Sequence, residues 1–520
     1  MKLSSRGHVT NMQNNVIDYL KEGSLLHSPG KVAVVDEGRE FTFEQLDDLS
    51  DRLATYIAFL TDRTRKPVAV FLPKSAVTII ADLAIVKSAN FYTNLDDKSP
   101  PDRLEKLLDN VLPQIVITNQ TLKAKIRAAG IDEEKIVCID ELDITSLPIN
   151  LNLLRDRKNL LIDTDPLCLI NTSGSTGVPK SVVLNHRSTI DFIDWTLENF
   201  DFSSNDAIGS LSPLYFDIYT LEIYVALKTG ATVYLIPEQT ASFPVQLVQF
   251  LSEHKISFIF WVPTIMVNIA NLQLLDKFEL SCLRRIFFAG EVFPTKQLNM
   301  WRQSLQNAQF VNLYGPIEIT VDCTYFILNR NFEDDAPIPI GVPCANSDVF
   351  ILTDSNMIAE QGEIGELCVR GSSLALGYYN NPKQTAMSFV QNPLNNAYPE
   401  IVYRTGDLVH TNELGEIMFD GRKDFQIKHQ GYRIELAEIE NAVQAVPEIR
   451  NACVLYHKEK KAIVLVFETS SDVTPKQLRN SLQSKLPKYM LPTEFVQLDE
   501  MPRNPNGKID RQLLGTKFAS

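Results

Sequence analysis

A loop rich in hydroxyl groups and glycine directly follows a short apolar run. The run covers residues 167–170, and the loop reads Thr172-Ser-Gly-Ser-Thr-Gly-Val-Pro-Lys180. Glycine lets backbone N–H groups turn toward an anion, hydroxyls add hydrogen-bond donors, and a terminal lysine offsets phosphate charge. The pattern therefore predicts a phosphate-binding loop at the end of a buried strand.

The loop is not a Walker A motif, because Pro179 stands where that motif requires its second glycine. A flexible Ser/Gly linker is the alternative, but a linker rarely begins directly behind a buried strand. The phosphate-binding interpretation is therefore favoured.

Two further charged residues could do chemistry. Asp217 precedes an apolar run over residues 218–227, where it could cap a helix or face a ligand. Lys508 follows the turn signal Asn506-Gly507, and a lysine in such a place is most often solvated. Neither residue indicates a site when it is considered alone.

Short apolar runs alternate with amphipathic stretches over the front of the chain. This alternation predicts parallel strands joined by helices, which is an α/β fold. After residue 377 the sequence becomes rich in turn-forming residues, which predicts short antiparallel strands or a barrel-like insert. The predicted strands of the front part are residues 68–72, 114–118, 232–236, 258–262 and 285–288.

The last hundred residues predict a small, mobile α+β domain. Apolar residues recur at helical spacing over 436–446 and again after Thr474, which is followed by Pro475, and residues 462–467 predict a strand. We therefore expect a large N-terminal domain of two α/β subdomains and a small β-barrel-like subdomain at residues 1–421, a hinge at 422–424, and a C-terminal domain at 425–520.

The composition is that of a folded globular protein, with 44% hydrophobic and 22% charged residues. A net charge of −14 argues against a nucleic-acid surface, which needs clustered cations. No apolar run reaches the roughly 20 residues of a membrane span, so we expect no membrane insertion. The seven cysteines lack metal-type spacing, and we expect reduced thiols, no structural zinc and a cytoplasmic location.

The sequence resembles the superfamily of adenylation domains, acyl-CoA synthetases and luciferases, whose signature loop reads TSGSTG-x-PK. The resemblance covers nearly the whole chain and implies an enzyme that uses ATP and Mg²⁺ to convert a carboxylate into an acyl adenylate. Six further motifs follow at family-like spacing: Tyr314-Gly-Pro-Ile-Glu318, Gly365-Glu-Leu-Cys-Val-Arg-Gly371, Tyr403-Arg-Thr-Gly-Asp407, Gly421-Arg-Lys-Asp424, Lys428-His-Gln-Gly-Tyr-Arg-Ile-Glu435 and Asn504-Pro-Asn-Gly-Lys508.

The resemblance implies a role for each matched residue. Glu318 would ligate Mg²⁺, and Lys508 would bridge the carboxylate and the α-phosphate. Tyr314 would stack on adenine, Asn312 would hydrogen-bond near its amino group, and Asp407 would accept the ribose hydroxyls. The implied ATP-binding residues are Thr172, Ser173, Gly174, Ser175, Thr176, Gly177, Lys180, Asn312, Tyr314, Gly315, Asp407, Arg422 and Lys508, with Thr172, Glu318 and Lys508 as catalytic residues.

A second half-reaction is implied, in which a thiol attacks the adenylate. Asp424 lies where the family has its interdomain hinge. Lys428, Gly431 and Tyr432 lie in the segment that swings into the site for this step. An ordinary turn remains the alternative for Gly431.

Two positions depart from the family pattern. Ile317 stands where Thr is usual, which puts one hydroxyl contact to phosphate in doubt, and Ser181 replaces the usual Gly after the loop lysine. Neither change removes a charge, so we expect activity to survive both.

The resemblance also predicts that the carboxylate belongs to an amino acid. In amino-acid-activating members, an aspartate at the place of Asp217 binds the α-amino group, a pair that acyl-CoA synthetases do not need. The mostly apolar wall resembles that of stand-alone enzymes that load L-proline onto a carrier protein. The pocket positions of the family map onto Asp217, Ile218, Leu221, Phe260, Phe287, Ala289, Leu313, Val321 and Asp322.

Other substrates stay open. D-alanine activation for a wall-polymer carrier is the second candidate, although those enzymes usually carry Cys where Ala289 stands, and acyl-CoA synthesis is the third. Asp322 departs from the proline pattern. A carboxylate in an apolar wall must turn to solvent, pair with the imino nitrogen, or contradict the proline assignment.

The chain contains no carrier or condensation motif, so a separate, phosphopantetheinylated carrier protein is the expected thiol acceptor. Residues 425–520 hold 14 Lys and Arg against 11 Asp and Glu, a net charge of +3 that would suit an acidic carrier. A degenerate nucleotide-binding regulator is the non-enzymatic alternative. It predicts loss of Glu318 or Lys508, and both are present.

Overall fold

The computed structural model describes residues 13–174, 179–469, 473–504 and 509–519. Four predicted ATP-site residues lie outside the described residues, and their places stay predictions: Ser175, Thr176, Gly177 and Lys508.

The strands of the described segments form five sheets. In chain order they are β1 Val32–Asp36, β2 Arg39–Thr42, β3 Pro67–Val70, β4 Phe91–Asn94, β5 Val116–Thr118, β6 Ile136–Cys138, β7 Pro166–Thr172, β8 Lys180–Asn185, β9 Ala207–Ser210, β10 Thr232–Leu235, β11 Phe258–Trp261, β12 Arg285–Phe288, β13 Gln309–Tyr314, β14 Thr324–Ile327, β15 Val342–Pro343, β16 Ser347–Leu352, β17 Gly365–Gly371, β18 Phe389–Gln391, β19 Ile401–Thr411, β20 Ile417–Arg422, β21 Gln426–His429, β22 Tyr432–Glu435, β23 Ile449–His457, β24 Ala462–Thr469 and β25 Glu494–Gln497.

The helices mostly lie between strands of the front sheets. In chain order they are α1 Leu25–His27, α2 Phe43–Leu60, α3 Ala76–Lys87, α4 Pro101–Val111, α5 Gln120–Ala128, α6 Leu151–Lys158, α7 His186–Asn199, α8 Ile218–Thr229, α9 Glu238–Ala241, α10 Pro244–Glu253, α11 Pro263–Asn271, α12 Thr295–Ser304, α13 Pro382–Ser388, α14 Leu436–Gln444, α15 Pro475–Gln483 and α16 Arg511–Phe518. Within the described ranges, none of them is both long and apolar enough to cross a membrane.

Two large, mainly parallel sheets form the front of the molecule. One has nine strands in the order β15-β14-β13-β12-β11-β9-β10-β1-β2, and the other has six in the order β6-β5-β3-β4-β7-β8. The five strands predicted from apolar runs are β3, β5, β10, β11 and β12, and each pairs in parallel with a neighbour. The predicted α/β fold with two subdomains is confirmed.

The two front sheets share one hydrophobic core. Leu167 and Ile170 of the six-stranded sheet belong to the same buried cluster as Phe260 and Phe287 of the nine-stranded sheet. All four side chains are buried. Parallel strands that are covered on both faces need such continuous apolar runs, which is why the runs are visible in the sequence.

The barrel-like insert predicted after residue 377 is an antiparallel sheet of five strands. Its order is β16-β17-β19-β18, and β20 pairs with the second half of β19. The sheet begins at Ser347, about 30 residues before the turn-rich composition from which it was predicted. A separate apolar cluster supports it and includes Leu367, Tyr403 and Val409.

The C-terminal part has a core of its own. Helices α14 and α15 pack with the three-stranded sheet β23-β24-β25, and their buried side chains form a cluster that runs from Ile434 to Leu491. Both predicted helices are confirmed. Thr474 caps α15 in a capping box with Gln477, and Pro475 occupies its first position, as the sequence pattern predicts.

The buried carboxylate of Asp206 lies just before β9 and contacts residues at the starts of β11 and β12. Asp206 accepts hydrogen bonds from the backbone N–H of Ser203 at 2.8 Å and from the hydroxyl of Ser257 at 2.7 Å. Its side chain has no exposure and pairs with Arg285, whose side chain is 7% exposed. The outer partner Arg284 pairs at 2.9 Å but is 54% exposed. Asp206 therefore neutralises the buried Arg285 and holds the starts of three strands together.

Replacement of Asp206 tests this role. Asp206→Ala leaves Arg285 buried without a counter-charge, which typically costs about 3–5 kcal/mol. We expect that loss in the free energy of unfolding of the N-terminal domain, measured by urea titration. Arg284→Ala, which removes the exposed partner, should cost less than about 1 kcal/mol. Equal losses in the two variants would contradict the assignment.

Candidate active site

A cavity of about 240 Å³ opens where the carboxyl ends of the strands of both front sheets meet. Its lining contains residues that stand at or just after strand ends, among them Thr172, Leu211, Val262, Ala289 and Gly315. This edge is where open α/β sheets bind their ligands. The volume is below the usual 300–1,000 Å³ of a ligand pocket. Residues 426, 428 and 430–433 of the C-terminal part line the same cavity.

The first residues of the phosphate loop are in contact with the C-terminal part. The Ser173 hydroxyl donates to the carbonyl oxygen of Arg433 at 2.7 Å and accepts from the N–H of Glu435 at 3.0 Å. The N–H of Gly174 donates to the Glu438 carboxylate at 3.0 Å. Lys180 Nζ lies 3.2 Å from Glu435 Oε1. Groups predicted to hold phosphate are therefore held by protein carboxylates and backbone in this arrangement.

A carboxylate at the start of the β19–β20 pairing faces the other end of the cavity. Asp407 is 5% exposed, accepts from the Tyr314 hydroxyl, and pairs with Arg422 at 2.6 Å. Arg422 also binds Asp424 through two nitrogens at 2.6 and 2.8 Å. Burial alone would raise the pKa of the Asp424 carboxyl, but the hydrogen bonds and charge of Arg422 outweigh it and lower that pKa. The proposed ribose residue and hinge residue thus share one arginine.

Two residues assigned to adenine do not line the described cavity. The Asn312 side-chain amide donates to the carbonyl oxygen of Pro339 at 2.7 Å. Tyr314 is buried, and the Lys428 ammonium lies 5.9 Å from its ring centroid. Gly315 does line the cavity, and a Cβ there would lie 2.4 Å from Val321 O and Asp322 Cα. Only glycine fits this crossing of two chain segments.

Glu318, the predicted metal ligand, is completely buried in a short 3₁₀ turn over Ile317–Ile319. One carboxylate oxygen accepts from the Tyr378 hydroxyl at 2.7 Å, and the other pairs with Arg433 at 2.6 Å. Burial would raise the pKa of Glu318, but the arginine and the two hydrogen bonds lower it. The residue is therefore held as an anion.

No cluster of three or more His, Cys, Asp and Glu side chains with a metal-binding arrangement occurs in the described part of the chain. A single buried carboxylate that is kept ionised by a cation fits the donor set of Mg²⁺, which commonly uses one or two carboxylates together with phosphate oxygens. Arg433 supplies the positive charge in this arrangement.

The predicted substrate wall separates into two layers. Asp217, Ile218, Phe260, Ala289, Val321 and Asp322 line the cavity. The other three positions do not line it and are buried: Leu221, Phe287 and Leu313. Phe287 packs edge-on against other rings, with the Phe200 centroid at 4.7 Å and the Phe258 centroid at 5.0 Å.

Asp217 precedes α8 but does not cap it, because its side chain makes no capping hydrogen bond and its backbone is already helical. Its carboxylate is therefore available to the cavity. Burial raises the pKa of Asp217 to about 6, against the lowering effect of nearby backbone N–H groups and of Lys428. The helix-cap alternative is wrong, and a ligand-facing carboxylate remains.

Asp322 is 2% exposed. Of the alternatives left open by the sequence, a side chain turned to bulk solvent is therefore excluded. Burial, and next the charge of Asp217, raise the pKa of Asp322 well above its usual value. The cavity thus contains two neighbouring acidic side chains in an otherwise apolar wall.

The segment around Gly431 is docked on the N-terminal part. The Gly431 N–H donates to Glu291 Oε1 at 2.9 Å, and Glu291 Oε2 accepts from the N–H of Thr264 at 3.0 Å. Tyr432 stacks on Tyr489 with a centroid distance of 3.6 Å and an interplanar angle of 10°. The predicted segment therefore lies at the cavity. Its residues Lys428, Gly431 and Tyr432 all line the cavity.

Sequence reasoning missed several partners of this docking. Arg103 on α4 forms a buried ion pair with Glu438, and Glu291 binds the Gly431 amide. Tyr378 binds Glu318. None of these residues belongs to a motif that was singled out for chemistry, and their partners are more than 50 residues away in the sequence. Arg433 and Glu435, by contrast, stood inside a matched motif.

The structure shows where the two residues that depart from the family pattern lie. Ser181 is buried in β8, donates to the Asn171 side chain at 2.7 Å and accepts from Asn110 at 3.0 Å. Ile317 lines the cavity. Neither side chain disturbs the paired strands that position the loop.

Solved structures with this fold include AlmE, an adenylation domain of Vibrio cholerae determined in complex with glycyl-adenosine-5'-phosphate. It matches with a TM-score of 0.84 at 22% identity, over 99% of this chain and 100% of that one. Holo-PA1221, an NRPS protein that contains adenylation and PCP domains, matches with a TM-score of 0.81 at 24% identity, over 97% and 84% of the two chains. These identities show a shared fold.

Sequence comparison shows the family. Tyrocidine synthase 1 of Brevibacillus parabrevis is 32% identical over 516 residues, which are 99% of this chain and 46% of that protein, so the chain spans less than half of this relative. Residues 438–508 match the AMP-binding enzyme C-terminal domain. Residues 22–379, more than half of the chain, match the AMP-binding enzyme family. The chain belongs to this family of adenylate-forming enzymes.

Proposed function

We propose that this protein activates an amino acid with ATP and then transfers it to the phosphopantetheine thiol of a separate carrier protein. One observation carries the proposal. A single cavity brings together the start of the phosphate loop at Thr172, the Asp407–Arg422 pair and the Asp217 carboxylate, which makes no helix-capping hydrogen bond. A nucleotide and an ammonium group could therefore bind side by side.

The first half-reaction joins two anions. A carboxylate oxygen of the amino acid forms a bond to the α-phosphorus of ATP, and the bond from that phosphorus to pyrophosphate breaks. Asp217 would hold the ammonium group and Asp407 the ribose, which orients the attack. Lys508 would offset the charge that develops between carboxylate and phosphate. Glu318 would hold Mg²⁺, which would neutralise phosphate charge when bound.

In the second half-reaction the thiol sulfur attacks the acyl carbonyl, and AMP leaves. The docked segment supports this step, because Gly431 and Tyr432 line the cavity from the C-terminal side. The same docking engages Gly174 with Glu438 and Glu318 with Arg433. Triphosphate and metal would compete with these contacts. We therefore assign the docked arrangement to the thiol step and assign adenylation to a second arrangement, reached by rotation at Asp424.

For the substrate we propose L-proline, with D-alanine as the second candidate. Phe260, Ile218 and Val321 give the cavity a compact apolar wall. Ala289 stands where the D-alanine enzymes usually carry Cys, which ranks that candidate lower. An acidic carrier would complement the net charge of +3 over residues 425–520. The relatives that contain carrier domains are consistent with such a partner.

Exchange of labelled pyrophosphate into ATP tests the first half-reaction. We expect exchange that depends on an added amino acid, with L-proline giving the highest kcat/KM in a panel that includes D-alanine. Asp217→Ala should lower kcat/KM for the amino acid at least 100-fold, because the charge-assisted hydrogen bond is lost. Ser181→Gly, a change in β8 away from the ammonium, serves as the matched control and should stay within about threefold.

Three results would count against the proposal. Absence of exchange with every amino acid would reject amino-acid activation. A best substrate of D-alanine would reject L-proline. Full activity of Asp217→Ala with a fatty or aryl acid would indicate acyl-CoA synthesis.

The raised pKa of Asp217 predicts a pH dependence. Asp217 must be ionised to pair with an ammonium group, and burial raises its pKa to about 6 in the docked arrangement. The amino-acid kcat/KM should therefore be constant above about pH 7 and fall as pH drops through 6, approaching tenfold per pH unit. Steady-state exchange from pH 5 to 8 measures this. Asp217→Asn should lack the inflection, and an identical inflection in that variant would assign it to another group.

The thiol step can be separated from adenylation at Gly431. Its φ is +83°, and an added Cβ would lie 3.0 Å from Val262 Cγ1. Gly431→Ala should therefore weaken docking and slow aminoacyl transfer to a carrier at least 10-fold, while pyrophosphate exchange stays within about twofold. Gly415→Ala is the control, since it has φ +77° but open space around its Cβ. Parallel loss of both half-reactions in Gly431→Ala would contradict the separation.

A further inference from the structure

The Asp322 carboxylate faces the cavity without a full set of partners. The side chain is 2% exposed, lines the cavity together with Asp217, and its Oδ2 has no hydrogen-bond partner among the described residues. Native proteins rarely leave a buried acceptor unpaired, and each such atom calls for an explanation. A ligand atom in the cavity is the most direct one.

The backbone in front of Asp322 is held in an unusual conformation. Thr320 and Val321 have φ values of +58° and +65°. Both residues are β-branched, and such residues seldom enter the left-handed region. The turn closes tightly over Gly315, where a Cβ would meet Val321 O at 2.4 Å. This close fit fixes where the Asp322 side chain can lie.

A structural ion pair does not account for the carboxylate. Lys428 is the cation whose charge reaches both Asp217 and Asp322, yet its ammonium lies over the Tyr314 ring. Over the described ranges, which leave out residues 505–508, no cation lies within 4.0 Å of Asp322. A substrate donor is a partner that would satisfy it.

We propose that Asp322 accepts a second hydrogen bond from the substrate, beside the one that Asp217 accepts from the α-nitrogen. The proposal rests on the proposed amino-acid activation and adds a rule for the choice of substrate. The pocket selects a small amino acid that places a donor at Asp322 Oδ2, in addition to the N–H that Asp217 binds. A secondary ammonium such as that of L-proline offers it as its second N–H, and a short side chain offers it as a hydroxyl or amine.

The expected discrimination follows from the burial of Asp322. A substrate without the extra donor leaves Oδ2 unpaired in a desolvated site, and a site built around a hydrogen bond rejects such analogues strongly. We expect a preference of about 10- to 100-fold in kcat/KM for the donor-bearing member of an isosteric pair. An apolar wall without Asp322 would give no such preference.

Pyrophosphate exchange with matched substrates tests the proposal. L-proline is compared with N-methyl-L-proline, which loses one N–H, and L-serine is compared with L-2-aminobutyrate, which replaces the hydroxyl by a methyl group. In the wild type, one pair should show the 10- to 100-fold preference. In Asp322→Leu that ratio should fall to within about threefold of unity. The responding pair identifies whether the donor belongs to the ring nitrogen or to a side chain.

Asp322→Asn separates charge from hydrogen bonding. Asn keeps an acceptor oxygen, so it should retain a hydroxyl preference but lose most of an ammonium preference. A second readout does not need activity. Removal of an unpaired buried carboxylate should raise the melting temperature of the free enzyme in Asp322→Asn, Asp322→Leu or both. The melting temperature of Asp217→Asn, measured in the same way, shows the effect of removing the charge of the neighbouring Asp217 carboxylate.

Two outcomes overturn the proposal. In one, neither substrate ratio changes by more than twofold between the wild type and Asp322→Leu. In the other, every Asp322 variant melts at a lower temperature than the wild type, which would make the carboxylate a structural residue. Failure of amino-acid activation itself looks different, because then no member of the panel supports exchange in the wild type.

Discussion

The ion pair between Arg433 and Glu318 is the interaction on which the arrangement of the two domains depends. Glu318 has no exposure and belongs to the N-terminal part, whereas Arg433 comes from β22 of the C-terminal part. A buried carboxylate needs a nearby positive charge. Beside the Tyr378 hydroxyl, Glu318 therefore needs a cation, and in this arrangement the C-terminal part supplies it as Arg433.

The same electrostatic condition extends over the phosphate loop. Glu438 accepts from the Gly174 amide and pairs with Arg103, so a carboxylate takes the place that the loop offers to an anion. Arg433 and Glu438 thus engage the proposed metal ligand Glu318 and the predicted phosphate loop at once. A triphosphate with its metal would compete for both. Under the proposed function, charge complementarity would couple the nucleotide state to the position of the C-terminal part.

The substrate end of the cavity obeys a different constraint. Its wall is apolar, yet two carboxylates face it, and burial raises the pKa of each. Donors that enter with a ligand would stabilise both acids beyond what the backbone N–H groups and Lys428 supply. The strained backbone at Thr320 and Val321 shows that the chain keeps Asp322 in place at a conformational cost. Specificity would then depend on hydrogen-bond donors as well as on size.

The sequence by itself determined the α/β architecture and the nucleotide-binding character. Apolar runs must be buried, so β3, β5, β10, β11 and β12 could be predicted, and the capped helix after Thr474 was equally legible. The loop motif was visible because its chemistry is local, whereas Asp217 was singled out only through the family resemblance. The extent of the antiparallel sheet was predicted poorly, since turn composition only weakly indicates where pairing begins.

Only the tertiary structure decided which of these residues meet. It placed Leu221, Phe287 and Leu313 behind the lining of the cavity and kept Asp322 at its surface. It also joined Arg103 to Glu438 and Gly431 to Glu291, over separations of 335 and 140 residues. No local pattern encodes such contacts, because their energy depends on burial and on the geometry of two domains that fold around separate cores. The sequence indicated which residues could take part in chemistry, and the packing of the two domains determined which of them are in contact.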